Sequence, residues 1–377
     1  MLPQTEKVTD ASIEDQKGLL DLPEGVPPLT TLYLYIAGSC NLACRHCWIS
    51  PNYMAGGKGG QFVPLEYVSK AIQQALPLGL SSIKLTGGEP LLHPQIRELV
   101  TLISQAGLDI TIETNGTLVD ADLAVFLRDS SHVSRISVSL DGATPQTHEA
   151  LRLIPGSFQK AIEGIRNLTA VGYRPQLICT LYRGNVHELA QVAALAESLD
   201  CGSVKFNHVQ SSGRGESMAK DEGLSIPELI DLYQYIEKEL APASKIPIFF
   251  DIPFAFRPIR EFLNGNIGHC DILHILGMLS GGELSLCGIG VTVPELIFGN
   301  IANDNLAEVW YNNKRLQELR RLIPNSFEGI CGDCIHRLIC FGECVANTYQ
   351  KTKTLNDSYY FCANAVELDL FPVTRRR

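Results

Sequence analysis

Three cysteines, Cys40, Cys44 and Cys47, fall within the segment GSCNLACRHCW, spaced C-x3-C-x2-C, with Trp48 directly after the last. A disulfide needs two thiols, and a structural zinc site closes with four ligands. Three thiolates are soft donors suited to an iron–sulfur cluster, and on a 4Fe-4S cubane they leave one iron open to a substrate or cofactor. His46 lies inside the triplet, but ligation through its imidazole would close that open position.

A second array lies in the last third of the chain. Cys270 is followed by Gly282-x4-Cys287, then by CGDCIHRLICFGEC, which holds Cys331, Cys334, Cys340 and Cys344, and finally by Cys362. Taken alone, C-x2-C-x5-C-x3-C would also pass for a zinc-ribbon fragment. Twelve cysteines minus three and seven leave Cys179 and Cys201, which sit in strand-like apolar segments and read as buried side chains.

The chain has 377 residues, 45% of them hydrophobic, enough for one large domain and a smaller one. A formal charge of −10 argues against nucleic acid as a partner, since phosphate binding needs clustered Lys and Arg. The one basic run, Arg375 to Arg377, reads as a solvated tail. No apolar stretch reaches the roughly 18 residues of a membrane span, and the polar N-terminus has no signal-peptide core. A cytoplasmic location follows, and there cysteines serve metal or redox chemistry rather than disulfides.

The elements that must position these cysteines alternate. Strand patterns at 31–37, 82–86, 109–114, 135–140, 175–182 and 202–209 are separated by helix patterns near 65–76, 95–106, 120–128, 158–171 and 187–199. This order implies a parallel sheet, and either an open doubly wound sheet or a partial barrel fits it. In both, ligands bind at the C-terminal strand ends. The triplet, TGGEP, TNG and LDG each follow a strand, so they should share one rim. Beyond Gly215 the pattern changes. A helix, SIPELIDLYQYIEKEL, and a short strand, IPIFF, lead into a Cys- and Gly-rich region with a hairpin turning at Gly281 and Gly282. Weak periodicity there points to a region held together by metal. MAGGKGGQF (54–62) lacks the Lys-Ser/Thr of a phosphate loop and reads as a mobile loop.

C-x3-C-x2-C followed by an aromatic, then GGEP, resembles the signature of radical S-adenosylmethionine (SAM) enzymes, and the seven distal cysteines resemble the SPASM extension of that family. The resemblance implies a partial (β/α)6 TIM-like barrel followed by a small Cys-rich domain. The divisions are an N-terminal extension (1–29), barrel (30–215), bridging region (216–268), SPASM domain (269–365) and C-terminal tail (366–377). It implies SAM and three 4Fe-4S clusters, one SAM-binding and two auxiliary. Cys40, Cys44 and Cys47 would hold the first. Cys331, Cys334, Cys340 and Cys362 would hold a fully ligated second, and Cys270, Cys287 and Cys344 a third. The third lacks a fourth cysteine; Asp271 or His274 could ligate, and an open site is the preferred reading.

For SAM, the resemblance implies contacts from ten residues. Gly87 and Gly88 let the backbone approach the methionine amino group, Glu89 accepts from the ammonium, and Pro90 fixes the turn. Thr114, Asn115, Ser139 and Asp141 would contact the carboxylate and ribose, Arg152 the carboxylate, and Trp48 the cluster and adenine.

In this family one electron cleaves SAM to a 5′-deoxyadenosyl radical that abstracts hydrogen, and auxiliary clusters suit a net oxidation. The implied function is oxidative modification of a ribosomally made precursor peptide, by thioether or carbon–carbon cross-linking or backbone excision. A sulfatase-type maturase making formylglycine is the alternative enzyme, and an iron–sulfur or zinc protein without catalysis the non-enzyme alternative. An electron donor such as flavodoxin or ferredoxin is implied. About 30 residues precede the first strand, too few for a leader-binding module, so a separate protein or the barrel itself would bind the leader. Asp251 in IFFDIPF reads as a strand-end carboxylate rather than a catalytic base.

Overall fold

The computed structural model describes residues 22–54, 60–130, 132–263 and 270–377. Much of the N-terminal extension, the centre of the 54–62 loop and the 268/269 boundary lie outside the described residues.

Six parallel strands, β1 (Thr31–Ala37), β2 (Ser82–Gly87), β3 (Asp109–Thr114), β4 (Val133–Ser139), β5 (Gln176–Leu181) and β6 (Ser203–His208), pair in chain order. They are the six strands that the hydrophobic pattern predicts. Helices α1 (Leu65–Ala75), α2 (Ile96–Gln105), α3 (Ala121–Asp129), α4 (Pro145–Arg152), α5 (Ser157–Ala170) and α6 (Leu189–Ser198) lie between them. This is a mixed α/β fold on a parallel sheet, the partial barrel expected. Helix α4 is an addition: Thr144 caps it by accepting from the Thr147 N–H, and Pro145 opens it, so TPQTHEALR carries a start signal that apolar periodicity alone misses.

The sheet extends past both ends of the six. Strand β7 (Ile248–Phe250), from IPIFF, pairs parallel to β6, while β8 (Ile275–Met278) pairs parallel to β1 with Thr31 opposite Ile275. The hairpin partner β9 (Glu283–Ser285) and then β10 (Ile297–Asn300) add antiparallel, giving ten strands in the order β10-β9-β8-β1-β2-β3-β4-β5-β6-β7. The hairpin turns at Gly282, which has φ of +88°. The cysteine-rich region is thus hydrogen-bonded onto the first strand of the barrel.

The two faces of the sheet differ. Ile83, Leu85, Ile110, Ile112, Val138 and Val204 are buried against the helices. Their alternates, among them Lys84, Thr86, Glu113, Ser139, Thr180, Lys205 and Asn207, are half-buried and polar. A parallel sheet covered on both sides reads as continuous apolar strands, so this alternation gives the barrel a polar interior face.

Arg376 and Arg377 are exposed, as a solvated tail implies, but the backbone of the run and the Arg375 side chain are held. The Ile335 N–H donates to the Arg375 carbonyl (2.9 Å), the Arg377 N–H to the Asp333 carbonyl (2.8 Å), and the Arg375 guanidinium to the carbonyls of Ala255 and Arg257. Backbone pairing with Asp333 and Ile335, and the carbonyls of Ala255 and Arg257, hold the run down, a pairing that charge pattern does not reveal.

Trp310 links the C-terminal region to the segment that leads into β1: it is 1% exposed and its indole N–H donates to the Pro27 carbonyl at 2.9 Å. Trp310→Ala is expected to cost about 3–5 kcal/mol of unfolding free energy in urea titration; a cost below about 1 kcal/mol would show that this contact does not join the two parts.

Candidate active site

The loop carrying the triplet is closed at its base by a two-residue parallel pairing of Ser39–Cys40 with Asn52–Tyr53. It rests on the end of β2. The Gly88 N–H donates to the Ala37 carbonyl (2.7 Å), and the Glu89 N–H to the Ser39 carbonyl (3.0 Å). Gly87 has φ of +124°, and a Cβ there would lie 2.7 Å from the Ala37 carbonyl oxygen; one at Gly88 would strike the Ser39 carbonyl. The two glycines are therefore required by the packing of strand end against cysteine loop.

Glu89 is fully buried. Its Oε1 accepts from the Leu91 N–H (3.0 Å) and the Thr114 hydroxyl (2.7 Å), and its Oε2 from the Asn115 N–H (2.7 Å). Burial raises its pKa against those hydrogen bonds. The carboxylate thus staples GGEP to TNG. Pro90 opens the short 3-10 turn that supplies the Leu91 N–H. Asn115 Nδ2 donates to Asn41 Oδ1 (2.8 Å) and lies 3.9 Å from Cys40 Sγ, so the network ends at the first thiol.

Asp141 and Arg152 form a buried ion pair, with Arg152 Nε 2.6 Å from Asp141 Oδ2. Asp141 Oδ1 accepts from the Thr180 N–H (2.8 Å), and His46 Nε2 stands 3.6 Å from Oδ2. Burial opposes ionisation of Asp141, but Arg152, His46 and His148 outweigh it and hold its pKa below the ordinary value. The guanidinium expected to face a ligand carboxylate thus has an internal partner. Burial pushes the His46 pKa down to about 4, leaving a neutral ring turned toward Asp141. The end of α4 also holds the loop: the Ala43 and Arg45 N–H groups donate to the carbonyls of Arg152 and Leu151. Ser139, at the end of β4, is half-buried on the interior face.

Arg214 is a residue that the motifs do not reveal. It lies in QSSGRG after β6; its Nε donates to the Cys44 carbonyl (2.8 Å), an Nη to the Pro51 carbonyl (3.2 Å), and its N–H to Ser50 Oγ (2.8 Å). Ser212 Oγ donates to the Trp48 carbonyl (3.2 Å) and lies 3.3 Å from Thr292 Oγ1, beyond Cys287. An arginine flanked by two glycines in a strand-end loop was the available signal.

Cys331, Cys334, Cys340 and Cys362 line one cavity, with Pro253, Ala255, Ile330 and Phe371 among its other walls. Four thiols around one space whose other walls are apolar apart from His336 and Arg337 fit a cluster, which is soft, thiolate-bound and screened from water. Cys270, Cys287 and Cys344 form another group: Cys344 and Cys287 are among the charges that raise the Cys270 thiol, and Cys287 among those that raise Cys344. Lys84 acts on Cys270 and Cys287, pairs with Glu113 Oε1 at 2.5 Å and lies 4.8 Å over the Tyr33 ring. Asp271 Oδ2 and His274 Nδ1 face each other at 3.5 Å. Cys179 and Cys201 are core residues, 1% and 0% exposed.

Trp48 joins the triplet to the Cys287 region. Its ring makes an edge contact with Tyr35 at 6.3 Å between centroids, and a Cβ on Gly288, beside Cys287, would lie 2.7 Å from it. Next to it a cleft of about 210 Å³ is lined by Tyr35, Ala37, Ser50, Gln61, Gly87 and Ser280, among others. Asp251 ends β7; burial opposes its ionisation, but Lys205, His208 and Arg257 keep its pKa low.

The family model described as the Radical SAM superfamily matches residues 34–196, and that of the Iron-sulfur cluster-binding domain, SPASM, matches residues 264–335. An AdoMet-dependent heme synthase of Methanosarcina barkeri is 26% identical over 346 residues, covering 87% of this chain and 94% of that protein. A Fe-coproporphyrin III synthase of the same species is 31% identical over 72% of this chain and 71% of its own. The mycofactocin maturase MftC of Mycobacterium tuberculosis is 26% identical over 82% and 76%. Among solved structures, Streptococcus suis SuiB bound to S-adenosylmethionine shares the fold with a TM-score of 0.72 at 16% identity, over 93% of this chain and 80% of that one. Native anSMEcpe with bound AdoMet and Cp18Cys peptide does so with a TM-score of 0.68 at 18% identity, over 91% and 96%.

Asp141→Asn leaves Arg152 charged and unpaired beneath the cysteine loop. The variant is expected to lose about 3–5 kcal/mol in anaerobic urea unfolding, and a loss under about 1 kcal/mol would contradict a structural role for the pair.

Proposed function

Because the chain belongs to the radical SAM superfamily and carries an iron–sulfur cluster-binding SPASM domain, we propose that it is a maturase that oxidatively modifies a precursor peptide. The observation that carries this reading is the contact of Trp48, after the SAM-type triplet, with Tyr35 and Gly288, beside Cys287. It sets two incomplete thiol sets beside one polar interior face. When bound, SAM and its cluster supply a 5′-deoxyadenosyl radical for hydrogen abstraction.

The rest falls to this chain's residues. Cys40, Cys44 and Cys47 hold the first cluster. Gly87, Gly88, Glu89, Pro90, Thr114 and Asn115 shape the ledge on which SAM rests, and Ser139 faces it from β4. Asp141 and Arg152 fix the loop from beneath, and Trp48 closes the side toward Cys287. Cys270, Cys287 and Cys344 would hold an auxiliary cluster, which would supply an electron acceptor. Cys331, Cys334, Cys340 and Cys362 hold the third.

The cleft beside Trp48 is smaller than the ~300–1,000 Å³ typical of drug-sized ligands. That favours a chain presenting one residue at a time, and the polar alternates Lys84, Thr86, Glu113, Thr180 and Asn207 offer partners to peptide groups. The MftC relative supports a peptide substrate. A tetrapyrrole is the second reading, favoured by the relatives named heme synthase and Fe-coproporphyrin III synthase. In the peptide reading an electron donor completes the system.

The two readings separate in one anaerobic assay. The reconstituted protein, SAM and dithionite are incubated with peptides encoded beside its gene, and in parallel with iron–coproporphyrin III. Formation of 5′-deoxyadenosine together with a peptide that has lost hydrogens or a backbone fragment is expected; conversion of the porphyrin with every peptide unchanged would overturn the peptide reading.

A further inference from the structure

Lys84 sits inside the strand SIKLTG, and the fold turns it onto the polar interior face of the sheet. A lysine in a parallel strand loses hydration and needs a partner there. Glu113, on β3, supplies one: its Oε1 lies 2.5 Å from Lys84 Nζ, and its Oε2 accepts from the Thr86 hydroxyl at 3.4 Å. The ammonium also stands 4.8 Å over the ring of Tyr33, on β1. Burial pushes the Tyr33 phenol up to about 12, so the ring stays neutral and adds no counter-charge.

Strand register carries this lysine toward Cys287. Tyr33 lies opposite Lys84 on one side and opposite Gly277 of β8 on the other. A Cβ on Gly277 would lie 2.9 Å from the Cys287 Cα, so the Cys287 backbone packs against the sheet at that row. Lys84 is two strands from Gly277, about 10 Å at the usual strand spacing, and Glu113 is one strand further. The ion pair therefore turns its positive end toward the thiol group and its negative end away. Lys84 favours the thiolate at both Cys270 and Cys287, while Asp271 opposes it at Cys270. The Lys84 side chain is 24% exposed, so water and salt screen it less than a surface charge.

We propose that Lys84 raises the reduction potential of the cluster held by Cys270, Cys287 and Cys344, as an electron acceptor at that site requires. The inference deepens the proposed function and rests on those three thiols holding a cluster. An added electron makes a cluster more negative by one charge, and a fixed cation beside it stabilises that form over the oxidised one. Glu113 holds the ammonium in place and offsets part of its field. Lys84 acts through this field and touches no substrate in doing so.

The test is an anaerobic redox titration with dithionite, followed by electron paramagnetic resonance, on the reconstituted full chain carrying Cys40→Ala, Cys44→Ala and Cys47→Ala. Two clusters, about eight irons, then remain to titrate. The step that Cys287→Ala abolishes or moves belongs to the site beside Lys84, and the four-cysteine cluster is the internal reference. Lys84→Met should lower the midpoint of the first step by about 59 mV, a ten-fold change in the ratio of reduced to oxidised cluster for one electron. Glu113→Gln should raise that midpoint, Lys84→Arg should leave it near the parent value, and none of the three should move the reference. Where Lys84→Met loses iron, Lys84→Gln and Glu113→Gln decide by the same opposed signs, which a packing defect does not produce. An unmoved midpoint in the Lys84 variants, or shifts of one sign in the Lys84 and Glu113 variants, would overturn the inference. About four irons and a single titrating step in the parent background would instead overturn the reading that Cys270, Cys287 and Cys344 hold a cluster.

Discussion

A buried thiol is costly to ionise, and this constraint organises the whole molecule. Burial pushes the Cys40 and Cys344 thiols up to about 12 and those of Cys287 and Cys331 up to about 11. Cys44, Cys270, Cys340 and Cys362 move the same way. Thiolates gathered in such places repel one another and are stable only around a cation that all of them share. Cys40, Cys44, Cys331, Cys334 and Cys362 are buried, and Cys47, Cys270, Cys287, Cys340 and Cys344 are half-buried, so most of these thiols sit where a thiolate is costly without a shared cation.

The protein surrounds the first group with a rigid polar frame. Glu89 fastens the β2 and β3 loops together, Asp141 holds Arg152 in the core, and the carbonyls at the end of α4 fix Ala43 and Arg45. Arg214 and Ser212 reach across from the loop after β6 to hold the triplet and, through Thr292, the Cys287 region. Removing one member of a buried charge pair costs far more than the pair gains, so these contacts fix the geometry more firmly than their net energies suggest.

Much of this was legible in the residues. Apolar alternation marked six strands and the helices between them, and cysteine spacing separated a three-thiol group from a seven-thiol one. Long-range pairing was not legible: nothing local in ILGM says that it lies beside Thr31–Leu34, because register comes from tertiary packing across more than half the chain. Side-chain roles within the motifs shifted for a related reason. Glu89 and Arg152 were readable as polar groups near a ligand, but only the structure shows that Thr114, Asn115 and Asp141 already engage them. Arg214 went unnoticed because a single arginine in a turn has no pattern, and the C-terminal arginines because charge alone cannot show a backbone pairing.

Iron stoichiometry in the chain and in a variant with Cys40, Cys44 and Cys47 all changed to alanine tests the central claim most directly. The parent should hold about eleven to twelve irons after anaerobic reconstitution and release 5′-deoxyadenosine from SAM when reduced, while the variant should keep about eight irons and release none. Zinc in place of iron, with no SAM cleavage by the parent, would contradict the account.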